Sequence, residues 1–205
     1  CALPILYMLG APRQSAIADG AEVGFGQQFE ANITSGSSMD TLAGGGWILT
    51  TNASDSAMST LFAGDGKLRA SEDWSIMCRF TNGLIGGNGR FHLGLSPSPT
   101  LTNPHTIQNI IAMEVSGTTG TAYTDNGGTE TTTSFGTVSK AEHTFRIEIT
   151  GGGGSVAFYM DDSLEATHTS NITTSTALYL EMLLMSNSAE AHVIHVWDFF
   201  AWRDV

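Results

Sequence analysis

Apolar and polar residues alternate with a period of two along most of the chain, in short runs separated by Gly, Asn, Asp and Ser. Successive side chains of a β-strand point to opposite faces, so this period predicts strands with one core-facing side. Such runs lie at residues 22–33, 46–51, 57–63, 74–80, 90–96, 107–117, 121–125, 130–135, 143–150, 155–161, 164–169, 177–185 and 191–202. Helix patterning is nearly absent, which favours an all-β fold built as an antiparallel two-sheet sandwich.

The clearest stretch is "HTFRIEITGGGGSVAFYMDDS", residues 143–163. The four glycines let the chain reverse direction without steric cost, and Asp161 and Asp162 lie where a second turn is needed. Adjacent strand residues point to opposite faces, so these two carboxylates cannot share a proton. We therefore predict a hairpin corner at the Asp pair, instead of catalytic acids or metal ligands. On the same grounds His143, which shares a face with Phe145, is predicted to be a buried, hydrogen-bonded histidine.

This passage and the following "ALYLEMLLMSNSAEAHVIHVWDFFAWRDV" resemble the C-terminal half of the concanavalin A-like, or laminin-G-like, jelly-roll domains of bacterial and phage surface proteins. Those domains typically show a His-x-Phe-x-Ile strand, a Phe-Tyr-Val-Asp-Gly hairpin, a Thr-His-Thr return and an acidic-aromatic pair in the last strand. In this chain Asp162 and Ser163 lie around the usual Gly position of the hairpin. The resemblance is strongest over residues 142–202 and extends over 22–141. It implies a single lectin-like jelly-roll domain over residues 21–205, preceded by an extended arm over 1–20.

The arm begins with the apolar sequence "CALPILYMLGAPRQ" and without Met. An apolar segment is costly in water, so we expect it to pack on its own domain or on a neighbouring subunit. Docking on a neighbour would give self-association, or attachment to a coat protein, by strand exchange. Cys1 is consistent with a processed terminus, a lipidation site or the start of a partial sequence.

Charge and hydropathy exclude several partners. The chain has 8 Lys and Arg against 20 Asp and Glu, a formal net charge of -12, which repels phosphate backbones and anionic membrane surfaces. No apolar run approaches the roughly 18 residues that a membrane-spanning helix needs. An acidic surface attracts calcium, but no calcium-loop pattern is present, so we expect no cofactor.

Cysteine and histidine spacings do not suggest a metal site. Cys78 shares one predicted strand face with Ile76 and Phe80, which predicts a buried free thiol. His192 and His195 are an odd number of residues apart, so on a strand their rings project to opposite faces and cannot bind one ion. No Ser-His-Asp set is recognisable.

A polar face is the candidate binding site. If the sheets stack as the resemblance implies, the non-core positions of one sheet place several charged and aromatic side chains together. Carboxylates accept hydrogen bonds from sugar hydroxyls and an aromatic ring stacks on a pyranose. The glycan-binding candidates are Arg90, His92, Glu114, Arg146, Glu148, Tyr159 and Glu181. The alternative is a solvated sheet face on which Arg and Glu pair across strands.

A glycosidase would need two carboxyl groups about 5 to 5.5 Å apart for retention, or about 6.5 to 9.5 Å for inversion. Glu114 and Glu181 are the candidates if the protein is an enzyme. The Glu-x-Asp-x-x-Glu signature of jelly-roll glucanases is absent from the sequence, which lowers this hypothesis to third place.

These observations rank three functions. The first is a non-enzymatic virion surface protein, a capsid decoration or fibre module of a phage-like virus, because phage structural proteins often contain such domains. The second is a secreted or displayed carbohydrate-binding module, and the third is a jelly-roll glycosidase. Each would act at a virion surface or outside the cell.

Overall fold

The computed structural model describes residues 5–7, 21–23, 27–33, 37–41, 46–53, 58–84, 89–98, 106–187 and 190–203. Within these ranges the chain forms sixteen strands and one 3-10 turn, Ala70–Glu72. The strands are β1 (Ile5–Tyr7), β2 (Ala21–Val23), β3 (Gln27–Ile33), β4 (Ser38–Thr41), β5 (Trp47–Thr50), β6 (Met58–Leu68), β7 (Ser75–Thr81), β8 (Gly89–Ser96), β9 (Ile111–Ser116), β10 (Thr119–Asn126), β11 (Thr129–Thr137), β12 (Glu142–Thr150), β13 (Ser155–Met160), β14 (Ser163–His168), β15 (Leu178–Ser186) and β16 (Val193–Arg203).

The strands form two antiparallel sheets of eight strands each, which confirms the predicted all-β sandwich. Sheet A has the order β14-β13-β12-β7-β16-β5-β4, and β1 pairs with β16 outside this path. Sheet B has the order β11-β10-β9-β8-β15-β6-β3-β2. The central strands of each sheet, β7 and β16 in sheet A and β8, β15 and β6 in sheet B, pair with strands distant in sequence.

One hydrophobic core lies between the sheets. Sheet A contributes Cys78 and Phe80 from β7 and Phe145 from β12, all fully buried. Sheet B contributes Phe91 from β8, whose ring centroid lies 4.8 Å from that of Phe80, and Met182 from β15. The Cys78 Sγ and Met182 Sδ atoms are 3.8 Å apart across the sheets. The prediction that Cys78 is a buried free thiol is confirmed.

The predicted turns are also present. Gly151, Gly152 and Gly153 have φ values of 66°, 68° and 81°, a left-handed conformation that glycine adopts without penalty. Asp161 and Asp162 connect β13 to β14 with φ values of 51° and 65°. Two successive positive φ values are typical of a type I′ hairpin turn, so the pair is a corner, as predicted.

The N-terminal half departs from the sequence expectation in three places. The predicted run 22–33 contains two strands, β2 and β3, which pair with each other at Ala21 and Phe29. Strand β4 was not predicted. Strand β1 lies inside the predicted arm and pairs with β16 of the same chain, Ile5 opposite Arg203. The rest of the arm, residues 1–4 and 8–20, lies outside the described residues. No helix in the described ranges has the length and apolar character needed to cross a membrane.

Candidate functional site

The expectation that the seven candidate residues share one sheet face is wrong. Arg90, His92, Glu114 and Glu181 lie on β8, β9 and β15 of sheet B, whereas Arg146, Glu148 and Tyr159 lie on β12 and β13 of sheet A. Alternation along a strand shows which side chains leave the core, but it does not show which sheet the strand joins. The candidates therefore form two separate groups on opposite outer faces of the sandwich.

The sheet B group is a buried hydrogen-bonded network. Backbone register places His92 of β8 directly opposite Glu114 of β9, and the His92 Nε2 and Glu114 Oε2 atoms are 2.6 Å apart. The Tyr123 hydroxyl, from the next strand β10, lies 2.5 Å from His92 Nδ1. An Arg90 guanidinium nitrogen lies 3.7 Å from the same Glu114 oxygen. The network holds the imidazole ring at both nitrogens and fixes its orientation.

Burial distinguishes this network from a solvated sheet face. His92 and Glu114 are 3% and 4% exposed, and Tyr123 is fully buried. Burial raises the pKa of Tyr123 well above its usual value, and the nearby Glu114 charge adds to the shift. Tyr123 therefore stays a neutral hydroxyl at any physiological pH.

A pocket opens beside this network, over Gly94. Gly94 of β8 pairs with Glu181 of β15 on one side and with Ala112 of β9 on the other. Since Gly94 has no side chain, the outer face of sheet B has a depression between Glu181 and Ala112. The pocket has an empty volume of about 210 Å³, including the part open to solvent. Its walls combine apolar and polar side chains, namely Ile110, Ala112, Leu183, His92, Ser96 and Glu181.

Glu181 is the chemically distinctive side chain of the pocket. It is 6% exposed, and its Oε1 atom has no hydrogen-bond partner among the described residues. Burial raises the pKa of Glu181 to about 8, while a hydrogen bond with Ser96 opposes the shift. Glu181 is therefore largely a neutral carboxylic acid at pH 7, able both to donate and to accept a hydrogen bond.

The two candidate catalytic acids, Glu114 and Glu181, lie on the same outer face of sheet B, but their strands are not neighbours. Strand β8 lies between β9, which carries Glu114, and β15, which carries Glu181. Strand spacing of about 4.8 Å and a rise of about 3.3 Å per residue place their Cα atoms roughly 12 Å apart. The Glu114 carboxylate contacts His92 and Arg90, whereas Glu181 lines the pocket. Only Glu181 is thus placed to meet a pocket ligand directly.

The sheet A group forms contacts within itself. Arg146 forms an ion pair with Glu148, and its guanidinium carbon lies 3.9 Å from the centre of the Tyr159 ring. Burial and then a hydrogen bond with Glu148 raise the pKa of Tyr159. Arg146 therefore covers one face of the ring on which a sugar would stack. This group matches the alternative expectation of a sheet face with paired Arg and Glu.

Two further histidine expectations can be compared with the structure. His143 is buried and hydrogen-bonded, as predicted, but its partners are Ser139 and Asp161, a set that the sequence did not disclose. His192 is fully buried, whereas His195 is partly exposed and contacts the Trp197 ring. Within the described ranges no group of three or more His, Cys, Asp or Glu side chains is arranged to hold a metal ion.

Three residues of the site, Tyr123, Gly94 and Ser96, were not predicted from the sequence. Tyr123 had a signal, because it alternates with the core residue Ala122 in the run 121–125. Gly94 also had one, because a glycine inside a strand often marks a close approach of another backbone or of a ligand. Neither signal identifies a pocket without knowledge of the neighbouring strands.

The architecture is shared with solved structures of low sequence identity. The Bacillus licheniformis β-glucanase has a TM-score of 0.65 and 11% identity, over 97% of this chain and 98% of that chain. The carbohydrate recognition domain of Emp47p has a TM-score of 0.64 and 11% identity, over 97% and 95%. A protein of unknown function from Shewanella oneidensis MR-1 has a TM-score of 0.60 and 10% identity, over 94% and 90%.

No family model matches the sequence, and no curated protein matches it. Identities near 11% carry information about architecture alone, and TM-scores of 0.65 and 0.64 over nearly the whole of both chains show that the architecture is shared. The chain therefore has the concanavalin A-like jelly-roll fold.

Proposed function

We propose that the protein is a carbohydrate-binding module whose shallow pocket over Gly94 receives a hydroxyl group of a sugar. The observation that carries this proposal is the buried Glu181 carboxyl group, which lines the pocket with one oxygen that no described residue bonds. A buried polar atom without a partner costs about 1 to 3 kcal/mol, and a ligand hydroxyl would recover that cost.

The pocket walls match the surface of a sugar. Ile110, Ala112 and Leu183 offer apolar contact to the C–H face of the ring, while Ser96 and Glu181 offer hydrogen bonds to hydroxyls. Much of the 210 Å³ is open to solvent, so the enclosed part of the pocket is small. The pocket therefore favours contact with one edge of a sugar at a chain end or side branch over several consecutive residues of a polymer.

The similar structures support the same class of ligand by analogy of fold. Two of them are described as a β-glucanase and a carbohydrate recognition domain. One jelly roll hosts many functions, so the analogy adds to the pocket chemistry and does not replace it. A glycan ligand fits an extracellular or virion-surface location, which remains part of the proposal.

The other two hypotheses rank lower. The virion surface role gains support from an arm that docks onto a neighbour, but the described part of that arm, β1, pairs with β16 of its own chain. The glycosidase role needs a second carboxyl group at the pocket, and Glu114 is engaged by His92 and Arg90.

A glycan array with matched variants tests the proposal. Glu181→Leu removes the carboxyl group of the pocket, and Glu148→Leu removes one from the outer face of sheet A. We expect glycan retention by the wild type and by Glu148→Leu, and a loss of about tenfold or more for Glu181→Leu, as for a lost hydrogen bond to a buried group. The proposal fails if Glu181→Leu, folded by circular dichroism, retains the wild-type affinity. It also fails if the wild type binds no glycan.

A further inference from the structure

A chain of three side chains lies outside the pocket, where the loop that joins β11 to β12 meets the turn between β13 and β14. The Ser139 Oγ and His143 Nε2 atoms are 3.0 Å apart, and the His143 Nδ1 and Asp161 Oδ2 atoms are 2.7 Å apart. We propose that Ser139, His143 and Asp161 form a nucleophile, a general base and a positioning carboxylate, and that they hydrolyse short acyl esters.

The carboxylate is held in place by the hairpin. The Thr144 N–H donates to Asp161 Oδ1 at 2.8 Å, and the Asp161 N–H donates to the Thr144 carbonyl at 2.9 Å. The left-handed backbone of the turn directs the Asp161 side chain back over β12. With one carboxylate oxygen bonded to the backbone, the other accepts the Nδ1–H of His143. This tautomer leaves Nε2 free of a proton.

The His143 imidazole ring is also held in one orientation by its neighbours. His143 is 9% exposed, and its ring centroid lies 6.3 Å from that of Phe80, at the edge of the core. Only the neutral ring with the proton on Nδ1 lets Nε2 accept the Ser139 O–H hydrogen bond. The geometry therefore has the nucleophile, base and orienting group in the order that acyl transfer requires.

The nucleophile is open to solvent. Ser139 and Lys140 are exposed, so a substrate held by a larger molecule can reach the hydroxyl. The Ala141 N–H donates to Ser139 Oγ at 3.2 Å, which fixes the oxygen and leaves its proton for His143. Lys140 directly follows the nucleophile and is exposed, so its N–H and its ammonium group are candidate donors for a developing oxyanion.

The reaction balances without a cofactor. Ser139 Oγ attacks the ester carbonyl carbon, its proton passes to His143 Nε2, and the carbonyl electron pair moves to oxygen. The tetrahedral intermediate collapses, the C–O bond to the alcohol breaks, and the departing oxygen takes the proton from His143. Water then adds to the acyl-serine by the same steps, releasing the acid and restoring the hydroxyl of Ser139. The open surface favours short acyl groups such as acetyl.

The test uses the complete chain with a fluorophosphonate, which modifies activated serines, and with p-nitrophenyl acetate as the ester. We expect a covalent adduct on Ser139 by peptide mass spectrometry, and hydrolysis that falls about tenfold or more in Ser139→Ala. Ser163→Ala is the matched control, because Ser163 is exposed and hydrogen-bonds to no histidine among the described residues. This control should hydrolyse the ester at the wild-type rate.

Asp161→Asn tests the positioning role. Asn tolerates the left-handed backbone of the turn, so the variant should keep the thermal midpoint of the wild type. A positioning role predicts a lower kcat with an unchanged KM. The proposal is overturned if folded wild-type protein forms no adduct on Ser139, or if Ser139→Ala hydrolyses the ester as fast as the wild type. Because this site does not include Glu181, the outcome is independent of glycan binding.

Discussion

Two glutamates with the same sequence pattern differ in burial and therefore in protonation. Glu148 and Glu181 both occupy non-core positions of strands, yet Glu148 is partly exposed and paired with Arg146, whereas Glu181 is 6% exposed. Desolvation disfavours the charged form of a carboxyl group, so Glu181 keeps its proton near neutral pH. The same residue type thus provides a surface ion pair in one sheet and a neutral hydrogen-bonding group in the other.

The raised pKa of Glu181 predicts a pH dependence of stability. Its folded-state pKa of about 8 lies above the ordinary 4.5, so the unfolded chain loses this proton first as pH rises between these values. The free energy of unfolding therefore falls across that window, and Glu181→Gln removes this contribution. The variant should gain stability relative to the wild type from pH 5 to pH 8, by an amount on the order of a few kcal/mol.

Urea unfolding of both proteins at several pH values measures this difference. Subtracting the two curves cancels the remaining groups, including His168 and His192, whose pKa values burial lowers. Parallel curves for Glu181→Gln and the wild type would contradict the assignment.

The three strands β9, β8 and β15 make the pocket as a unit. A glycine is needed at position 94 of β8 for two reasons. Its missing side chain leaves space for the pocket, and it permits the close approach of β9. A Cβ atom at Gly94 would lie 2.1 Å from the Ile111 carbonyl oxygen and 2.6 Å from Ala112 Cβ. The pairing of β8 with β9 therefore depends on this glycine.

Gly94→Ala should destabilise the protein by about 1 to 3 kcal/mol, because the backbone of β9 must move away from the new methyl group. Gly154→Ala is the control, since its closest contact would be 3.2 Å from the Gly151 carbonyl oxygen. Denaturant midpoints of the two variants give the comparison. Equal midpoints for Gly94→Ala and Gly154→Ala would show that β8 and β9 separate without cost.

At the scale of the whole molecule, one core joins the two sheets. Cys78 of sheet A and Met182 of sheet B meet at its centre, with both residues fully buried. Burial raises the pKa of the Cys78 thiol well above its usual value, and the Asp198 charge adds to the shift. The reactive thiolate therefore forms only when the sheets separate.

Alkylation of Cys78 should therefore report global unfolding. We expect iodoacetamide labelling at pH 8, quantified for the Cys78 peptide by mass spectrometry, to follow the same denaturant curve as tryptophan fluorescence. Restricting the measurement to that peptide excludes any signal from Cys1. Labelling of Cys78 in native buffer at the rate of the unfolded chain would disprove a single shared core.

The sequence by itself determined most of the strands after residue 45, their core-facing sides and the turns at the GGGG stretch and the Asp pair. Ile76, Cys78 and Phe80 are buried as their alternation predicts, and the corner at Asp161 and Asp162 follows from turn chemistry. These features depend on φ and ψ preferences and on side-chain direction within a few residues, which the local sequence encodes.

Only the tertiary structure decided which strands are neighbours. It placed Glu114 and Glu181 in sheet B and Glu148 in sheet A, and it brought Asp161 to His143 across 18 residues. Strand partners are selected by the packing of the whole core, so residues of similar pattern end in different sheets and at different depths. The pocket and the hydrogen-bonded series Ser139, His143 and Asp161 depend on which strands become neighbours. No local sequence pattern encodes that choice.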